Sequence, residues 1–584
     1  MKKCLFLVSN QQDQLNENKS YSALDSYISM NNPGYDIEQF PPLRTNVNEW
    51  KSYVETVDKK YEKYLIILMN RLNIIHGVEY NQNYWKQMFY LGLKGYITRV
   101  YEFYMQASTR FSHNRHTIRI LNQNSFYTPF DLQDANNYLS NSELAQEQLF
   151  SIYIQTFYQQ LQEETFFAEN NFGHIKRKSK VSFKYKTALS LLKLLRFNKP
   201  SILLAGINYD KNYILKLLLK SHFRIFWLEF KPFQHSMACE KSNMDRSLLA
   251  RHDETFDDFD KFFFNTLPDF FPTVFLEEYQ SAHTYYEKAC DRYQHLKYVV
   301  SESWIADNQL SFFIAQLRLR NIELICSEHK GLQQPFIGTS IYDLTELSDK
   351  YFTSGWYSEH YNEHSNLIKT GLLHKVKGSK YFPEFKNKIL YLTAPAFAKK
   401  YTYNCNASFM GEDGLEHFSF QKSFFASINK GILKSIVYRI APRYRSKSII
   451  MYDQENIFKK YLKHSVMDRS ECSGIDAMHN AKLVIIDYLN SGYVESLVNN
   501  YPTLLFLNTN DYLEEDQLHI FDKLIEAQVV HTSGESAGEF LVKIYNDPMI
   551  WWMSDKVQEA RKAFLKAQIG KPEALMKKIL ALLK

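Results

Sequence analysis

The chain has 584 residues, 45% of them hydrophobic and 16% aromatic, with 70 Lys and Arg against 64 Asp and Glu. Its 19 glycines and 15 prolines are about half the usual share, while 41 Tyr and 43 Phe exceed what a disordered chain carries. Long unstructured tracts, collagen-like repeats and beads on flexible linkers are therefore excluded. The net charge of +6 equals that of residues 556–584 alone, which hold eight Lys or Arg and two Glu; the rest is neutral, so a nucleic-acid-binding surface is discounted.

The length predicts about three or four domain-sized units. The start, MKKCLFLVSNQQDQ, has only about five apolar residues before polar ones, too few for a signal peptide. Cys4–Val8 therefore reads as a first buried strand. The region from Trp50 to about Lys180 is long, aromatic and rich in Gln and Asn, and reads as a helical insertion attached to the first domain. Short apolar runs follow at Ser201–Ala205, Arg224–Leu228, Ile322–Cys326 and Lys350–Thr353. A second series lies at Ile389–Thr393, Ser435–Ile440, Leu483–Asp487, Thr503–Leu507 and Gln528–His531. Strands alternating with helix-length stretches predict parallel α/β sheets, and two series predict two doubly wound domains. The polar stretch Lys377–Lys388, with Pro383, is the expected hinge.

That divides the chain into 1–388, with the insertion at about 50–180, then 389–550, then a basic amphipathic tail at 551–584. The tail ends in ALMKKILALL, which suits a helix packed on the body or one resting on an anionic membrane surface. No apolar run reaches membrane-spanning length; the best, Ala188–Leu195, is broken by Lys193. Six widely spaced cysteines with no C-x-x-C fit reduced thiols in a cytoplasmic protein.

The most informative stretch is Ala481–Phe506. An apolar strand ends in Asp487, and Asn490-Ser491-Gly492 then opens a helix. Ligands of doubly wound sheets sit at carboxyl ends of strands, near helix N-termini. A Ser hydroxyl and free backbone N–H groups there suit a phosphate. Glu495, one turn beyond Ser491, could hold ribose hydroxyls; Ser491 and Glu495 equally suit plain helix capping.

The pattern N-S-G-Y-V-E-S-L, followed by Pro502, Thr503 and a strand, resembles the donor-nucleotide segment of GT-B glycosyltransferases, close to the S-x-x-G-F-E-A-L of capsule Kdo transferases. More of the chain is similar to transferases of O-antigen and nonulosonic-acid gene clusters. Their N-terminal pattern is matched by Leu72-Asn73, His76-Gly77 and Tyr84-Trp85. Their Q/E-H-G-G and S-D-x-F-x-x-x-G-W segments are matched by Glu328-His329-Lys330-Gly331 and by Ser348-Asp349 through Gly355-Trp356. Trp551-Trp552, ahead of Val557–Phe564, matches the C-terminal W-W. The resemblance spans nearly the full length. Two departures stand out: Lys330 replaces a glycine, and Gln87–Leu93 lacks the family's G-P-W.

The resemblance implies a GT-B fold with His329 in the interdomain cleft near the donor, where a histidine could act as an acid or hydrogen-bond a leaving phosphate. In the same segment, Glu328 is a further catalytic candidate and Lys330 an expected nucleotide contact. Arg439, ending its strand, would face the cleft from the other domain and pair with a phosphate or sugar carboxylate. Asp307 and Glu302 are candidate nucleophile or base, and exposed helix-start carboxylates explain them equally well. His76, Tyr84 and Trp85 are the expected acceptor contacts.

Competing signals are weaker. His360-Tyr361-Asn362-Glu363-His364 matches H-x-x-E-H of inverted zinc peptidases but lacks a third ligand. Asp258-Phe259-Asp260 matches D-x-D formally, inside an acidic-aromatic run better read as a helix face. The expectation is a cytoplasmic, metal-independent GT-B glycosyltransferase with no cofactor beyond its nucleotide-sugar donor. The donor is expected to be a CMP-activated ulosonic acid (Kdo, pseudaminic or legionaminic acid) and the acceptor a glycan or lipid-linked glycan of a bacterial surface polysaccharide. Peripheral membrane contact is expected through 556–584, and no nucleic acid. The alternatives are another GT-B activity, such as polyol-phosphate transfer or nucleotide-sugar epimerisation, and a non-catalytic assembly scaffold.

Overall fold

The structure, a computed structural model, describes residues 4–10, 15–16, 19–161, 164–169, 199–207, 209–228, 230–234, 241–302, 308–328, 340–359, 366–371, 378–398, 411–440, 450–489, 491–507, 513–517 and 519–584. Two six-stranded sheets, parallel throughout, dominate it. The first contains β7 (Ile202–Leu204), β8 (Ile225–Trp227), β9 (Tyr298–Glu302), β10 (Glu323–Ser327), β11 (Lys350–Thr353) and β12 (Asn366–Lys369). Their order is β12-β11-β10-β9-β7-β8. The second contains β13 (Ile389–Thr393), β14 (Ile436–Ile440), β15 (Val466–Met467), β16 (Leu483–Ile486), β17 (Thr503–Phe506) and β18 (Val530–His531). Their order is β15-β14-β13-β16-β17-β18.

Both sheets are covered on both faces, which is why their strands read as continuous apolar runs. Along β16, Leu483 and Ile485 join one core while Val484 and Ile486 join the core on the opposite face. Along β10, Leu324 and Cys326 face one core and Ile325 the other. Each such fully buried aliphatic side chain contributes about 1.5–3 kcal/mol. The two domains are joined by residues 378–388, which cling to the second domain. The Ser379 and Lys380 amides donate to Asp476 at 3.1 and 3.2 Å, and the Phe382 amide donates to Asn480 at 3.1 Å.

The N-terminus departs from expectation. β1 (Cys4–Leu7) does not enter the first large sheet. It pairs with β2 (Ser20–Ala23) and β4 (His116–Thr117), and β3 (Asp36–Glu38) completes a separate sheet in the order β3-β2-β1-β4, beside which β5 (Arg119–Leu121) and β6 (Glu164–Phe166) form a two-stranded sheet. The partners are short and polar, SYSA and DIE, and carry no apolar signature. Nor is the helical region attached to the first domain alone. The long helices Val47–His76 and Gln82–Arg110 pack on helices Asn243–Ala250, Asp258–Phe270 and Asn308–Arg318 of the first domain. From the same unit, Arg110 reaches into the second domain. Its guanidinium forms two 2.7 Å bonds to Glu412, both side chains fully buried. The Ser26 amide and hydroxyl donate to the same Glu412 at 3.0 and 2.9 Å. The N-terminal unit therefore bridges both domains.

The tail packs on the body, the first of its two expected placements. Helix Asp555–Gln568 packs on the second domain, where Phe564 stacks on Phe521 and Arg561 donates to the Leu497 carbonyl at 2.7 Å. The chain then crosses back. Gly570 N–H donates to the Ser354 carbonyl at 2.5 Å. A Cβ on Gly570 would lie 1.7 Å from the Thr370 oxygen, so only glycine fits at the crossing. Helix Pro572–Ala581 then buries Leu575 and Ile579 against Ile202, Val300 and Phe352 of the first sheet. Two doubly wound domains with a C-terminal helix returning to the first make the GT-B arrangement.

Candidate functional site

The second sheet runs 3-2-1-4-5-6 in its own strand numbering, so the chain reverses direction between β13 and β16. The crevice beyond the carboxyl ends of these two strands is where doubly wound sheets bind ligands. Thr393 ends β13 and Asp487 follows β16, and the two side chains meet: the Thr393 hydroxyl donates to Asp487 Oδ2 at 2.9 Å. Tyr391 OH donates to the same oxygen at 2.8 Å, and Gln421 Nε2, from helix Gly414–Ala426, at 2.5 Å. His417, one turn earlier on that helix, brings Nε2 to 3.3 Å. Burial first, then the Asp487 charge, pushes the Tyr391 phenol far above its ordinary range, so its hydroxyl stays a donor.

Asp487 is buried, and its other oxygen, Oδ1, accepts no hydrogen bond; nor does Oε1 of Gln421. Two buried acceptors without donors, side by side at a switch point, are unusual, because buried polar atoms are normally paired. The helix Ser491–Val498 leads away from this loop, with Ser491, Gly492 and Glu495 half-buried near its start. Burial chiefly raises the Tyr501 phenol and the Glu495 charge adds to it, on the side where the interdomain linker docks. Asn490 lies outside the described residues.

Arg439 is placed differently from its expected role. Its guanidinium turns into its own domain, pairing with the Asp468 carboxylate and donating to the Cys472 carbonyl at 2.7 Å. It is buried and fastens the loop after β15, so it does not face the cleft.

In the first domain, Glu302 ends β9 and is buried at the switch point between β7 and β9. Glu328 follows β10 and is the joint of two sequence motifs. Its Oε2 accepts the Ser354 amide and the Trp356 indole N–H, both at 2.7 Å, while Oε1 has no partner. Burial pushes the Glu328 carboxyl up to about 7, against the lowering effect of those two donors. Tyr493, from helix Ser491–Val498, feels the Glu328 charge, and its buried hydroxyl is likewise unpartnered. The two domains thus meet here over a pair of unsatisfied polar atoms. His329, Lys330 and Asp307 lie outside the described residues, as does the H-x-x-E-H stretch 360–364.

The expected acceptor residues form the packed corner between the two long helices. The Trp85 indole donates to Asn73 at 2.9 Å, and Asn73 donates to the Tyr80 carbonyl at 2.8 Å. The Tyr84 hydroxyl lies 3.0 Å from Tyr279 OH and accepts from Gln316 at 2.9 Å. His76 stacks on Tyr279, ring centres 4.0 Å apart, and its Nε2 bonds the Phe275 carbonyl at 3.0 Å. Burial lowers its pKa and favours the neutral ring. Trp85 is 0% exposed, so this motif serves packing and presents no indole to an acceptor. Asp260 of the D-x-D run is likewise engaged, in a capping box with Asp257 and in bonds from Lys60, Lys63 and Tyr64. Burial raises its pKa, but those donors outweigh it and hold the carboxyl at about 2.

Comparison with known proteins now fits onto this geometry. A family model described as LIC12162 family transferase matches residues 4–582. The chain belongs to that family. No curated protein matches it. Among solved structures, this transferase is similar to the glycosyltransferase SnogD from Streptomyces nogalater, at 8% identity over 66% of this chain and 100% of that one, TM-score 0.34. It is also similar to trehalose 6-phosphate synthase from Burkholderia multivorans, at 9% identity over 66% and 98%, TM-score 0.35. For MurG from Acinetobacter baumannii the values are 10%, 66%, 99% and 0.31. At such scores the fold rests on the strand order of this transferase itself.

Sequence reasoning misses Thr393, Gln421, His417 and Tyr391. A signal was present: Thr393 ends an apolar strand and Asp487 follows one, and His417 and Gln421 are polar at i, i+4 on the buried, phenylalanine-bearing face of their helix.

Proposed function

We propose that this transferase is a glycosyltransferase that moves a sugar from a nucleotide donor to a glycan acceptor. The reading further assigns the donor as a CMP-activated ulosonic acid (Kdo, pseudaminic or legionaminic acid) and the acceptor as a bacterial surface polysaccharide or its lipid-linked precursor. The observation that carries it is the polar switch point of the second domain, where Asp487 Oδ1 and Gln421 Oε1 lack donors. Hydroxyl or amino groups of a nucleotide, directly or through a bridging water, would complete them. The start of helix Ser491–Val498 supplies backbone N–H groups and the positive end of a helix dipole for the leaving phosphate. Glu495 is assigned to the ribose. Across the interface, Glu328 fixes the end of β10 through Ser354 and Trp356. His329 is assigned as the group that protonates or hydrogen-bonds the leaving phosphate. The donor class follows from the resemblance of N-S-G-Y-V-E-S-L to Kdo transferases and is analogy at that level.

The test is thermal stabilisation by CMP, CDP, UMP, UDP and GDP at matched concentration. Saturating ligand at about 100 times its Kd adds roughly 2.7 kcal/mol, a visible melting shift. A shift with CMP, weakened by Ser491→Ala and Glu495→Ala, supports the reading. A shift with UDP or GDP alone keeps the fold and overturns the donor. No shift with any of them favours a non-catalytic role.

A further inference from the structure

Two helices far apart in sequence place a cluster of positive charge on one face of the first domain. Helices Lys211–Lys220 and Pro572–Ala581 both lie on the same side of the first sheet. The first buries Ile214, Leu217 and Leu218 there, and the second buries Leu575 and Ile579, all in one apolar core. Tyr213 on the one feels the charge of Glu573 on the other, which confirms that they are neighbours. With both inner faces on the sheet, both outer faces point the same way. Residues 210–224 and 571–584 carry eight Lys or Arg and two acidic residues, a net +6. The whole chain carries +6, so everything outside these two short segments is neutral overall.

The face is not merely charged. On the outward side of the Lys211–Lys220 helix, Leu215 is 45% and Leu219 54% exposed, set between exposed Lys216 and Lys220. Lys577 and Lys578 are exposed on the helix beside it. Exposed leucines among lysines oppose solubility and do nothing for a free polyanion. They suit an interface that presents negative charge outside and hydrocarbon just beneath.

We propose that this two-helix face seats the protein on an anionic membrane surface, with the lysines among the headgroups and Leu215 and Leu219 entering the acyl boundary. Attraction of each lysine to an anionic leaflet is modest singly and additive over a cluster. The lysines are supplied in nearly equal share by a helix the tail does not contain, and the apolar face of the tail helix is already used against the sheet. The seat is therefore built by folding and is not a free amphipathic tail. It lies on the first domain and stands whether or not the donor is CMP-linked.

The test is sedimentation of the full chain with vesicles, without nucleotide. Phosphatidylglycerol–phosphatidylcholine vesicles are compared with phosphatidylcholine alone, at low and high salt. Binding to anionic vesicles that falls with salt is expected. The variant Lys216→Glu/Lys220→Glu/Lys577→Glu/Lys578→Glu should bind more than about tenfold more weakly. Leu215→Ser/Leu219→Ser should bind at least about threefold more weakly, with unchanged retention on heparin. All six side chains are exposed, and matched melting curves confirm folding. Absence of binding to anionic vesicles, or full binding by the charge-reversed protein, would overturn the proposal. So would vesicle binding indifferent to the leucines, which would point to a soluble polyanion such as RNA.

Discussion

The two large sheets are built alike and differ where it matters, at their switch points. Each is a parallel, doubly wound six-stranded sheet with one reversal of strand order. In the first domain the crevice between β7 and β9 is packed by the chain's own side chains, with Glu302 buried at its edge. Leu310 sits so close to Gly206 that a Cβ there would be 2.3 Å from it, and Tyr209 is buried beside it, bonded to Ser327 at 2.8 Å. In the second domain the equivalent crevice, between β13 and β16, holds Asp487, Thr393, Gln421 and His417, with two acceptors unsatisfied. Topology creates two equivalent switch points, and among the described residues the unsatisfied acceptors of the second have their counterpart in close packing at the first. The first domain contributes the strand end at Glu328 and the surface that faces outward.

The largest expected effect comes from cutting the bridge between the halves. Arg110→Ala leaves Glu412 buried without its partner and should cost about 3–5 kcal/mol in denaturant unfolding. Adding Glu412→Gln should recover part of that loss; equal loss in single and double variants would refute the coupling. At the filled crevice, Leu310→Ala should cost about 3 kcal/mol and leave nucleotide affinity unchanged. A change in affinity would mean that the first crevice is also a binding site.

Glu328 gives a pH signature at the domain seam. Its folded pKa, about 7, lies above the unfolded value, so the native state binds the extra proton between them. The contribution is full below about pH 4.5, is lost as pH rises to 7, and stays lost above, an amplitude of about 3 kcal/mol. Glu328→Gln should therefore gain on the wild type as pH rises from 5 to 8, and a parallel stability profile would contradict this. The smallest effect is expected at the helical corner. Trp85→Phe removes one buried hydrogen bond to Asn73 and should cost about 1–2 kcal/mol, with unchanged KM for the acceptor. A selective rise in that KM would restore the acceptor role.

Much of the fold was legible because fully buried parallel strands announce themselves. Lys350–Thr353 and Ile389–Thr393 coincide with β11 and β13 to the residue. Strands without that composition were silent, and so was central β9, whose apolar run YVV gives way to the buried polar Ser301 and Glu302. β12, NLIK, is a half-exposed edge; β15 has two residues; and β2 and β3 are mostly polar. Motif residues were legible as important but not as to their task. His76, Tyr84 and Trp85 knit a corner, and Trp356 and Glu328 lock two strand ends together. The Arg110–Glu412 pair joins positions 302 apart in sequence, and no local pattern encodes such a contact.

The central claim, that the polar switch point of the second domain holds the donor nucleotide, is tested most directly by calorimetric titration of wild type and Asp487→Asn with CMP. Asparagine keeps the size of the side chain while removing its charge. The account predicts binding by the wild type and about tenfold or greater weakening in the variant, with its melting transition still cooperative. Equal affinity in the two proteins would contradict it and move the donor elsewhere.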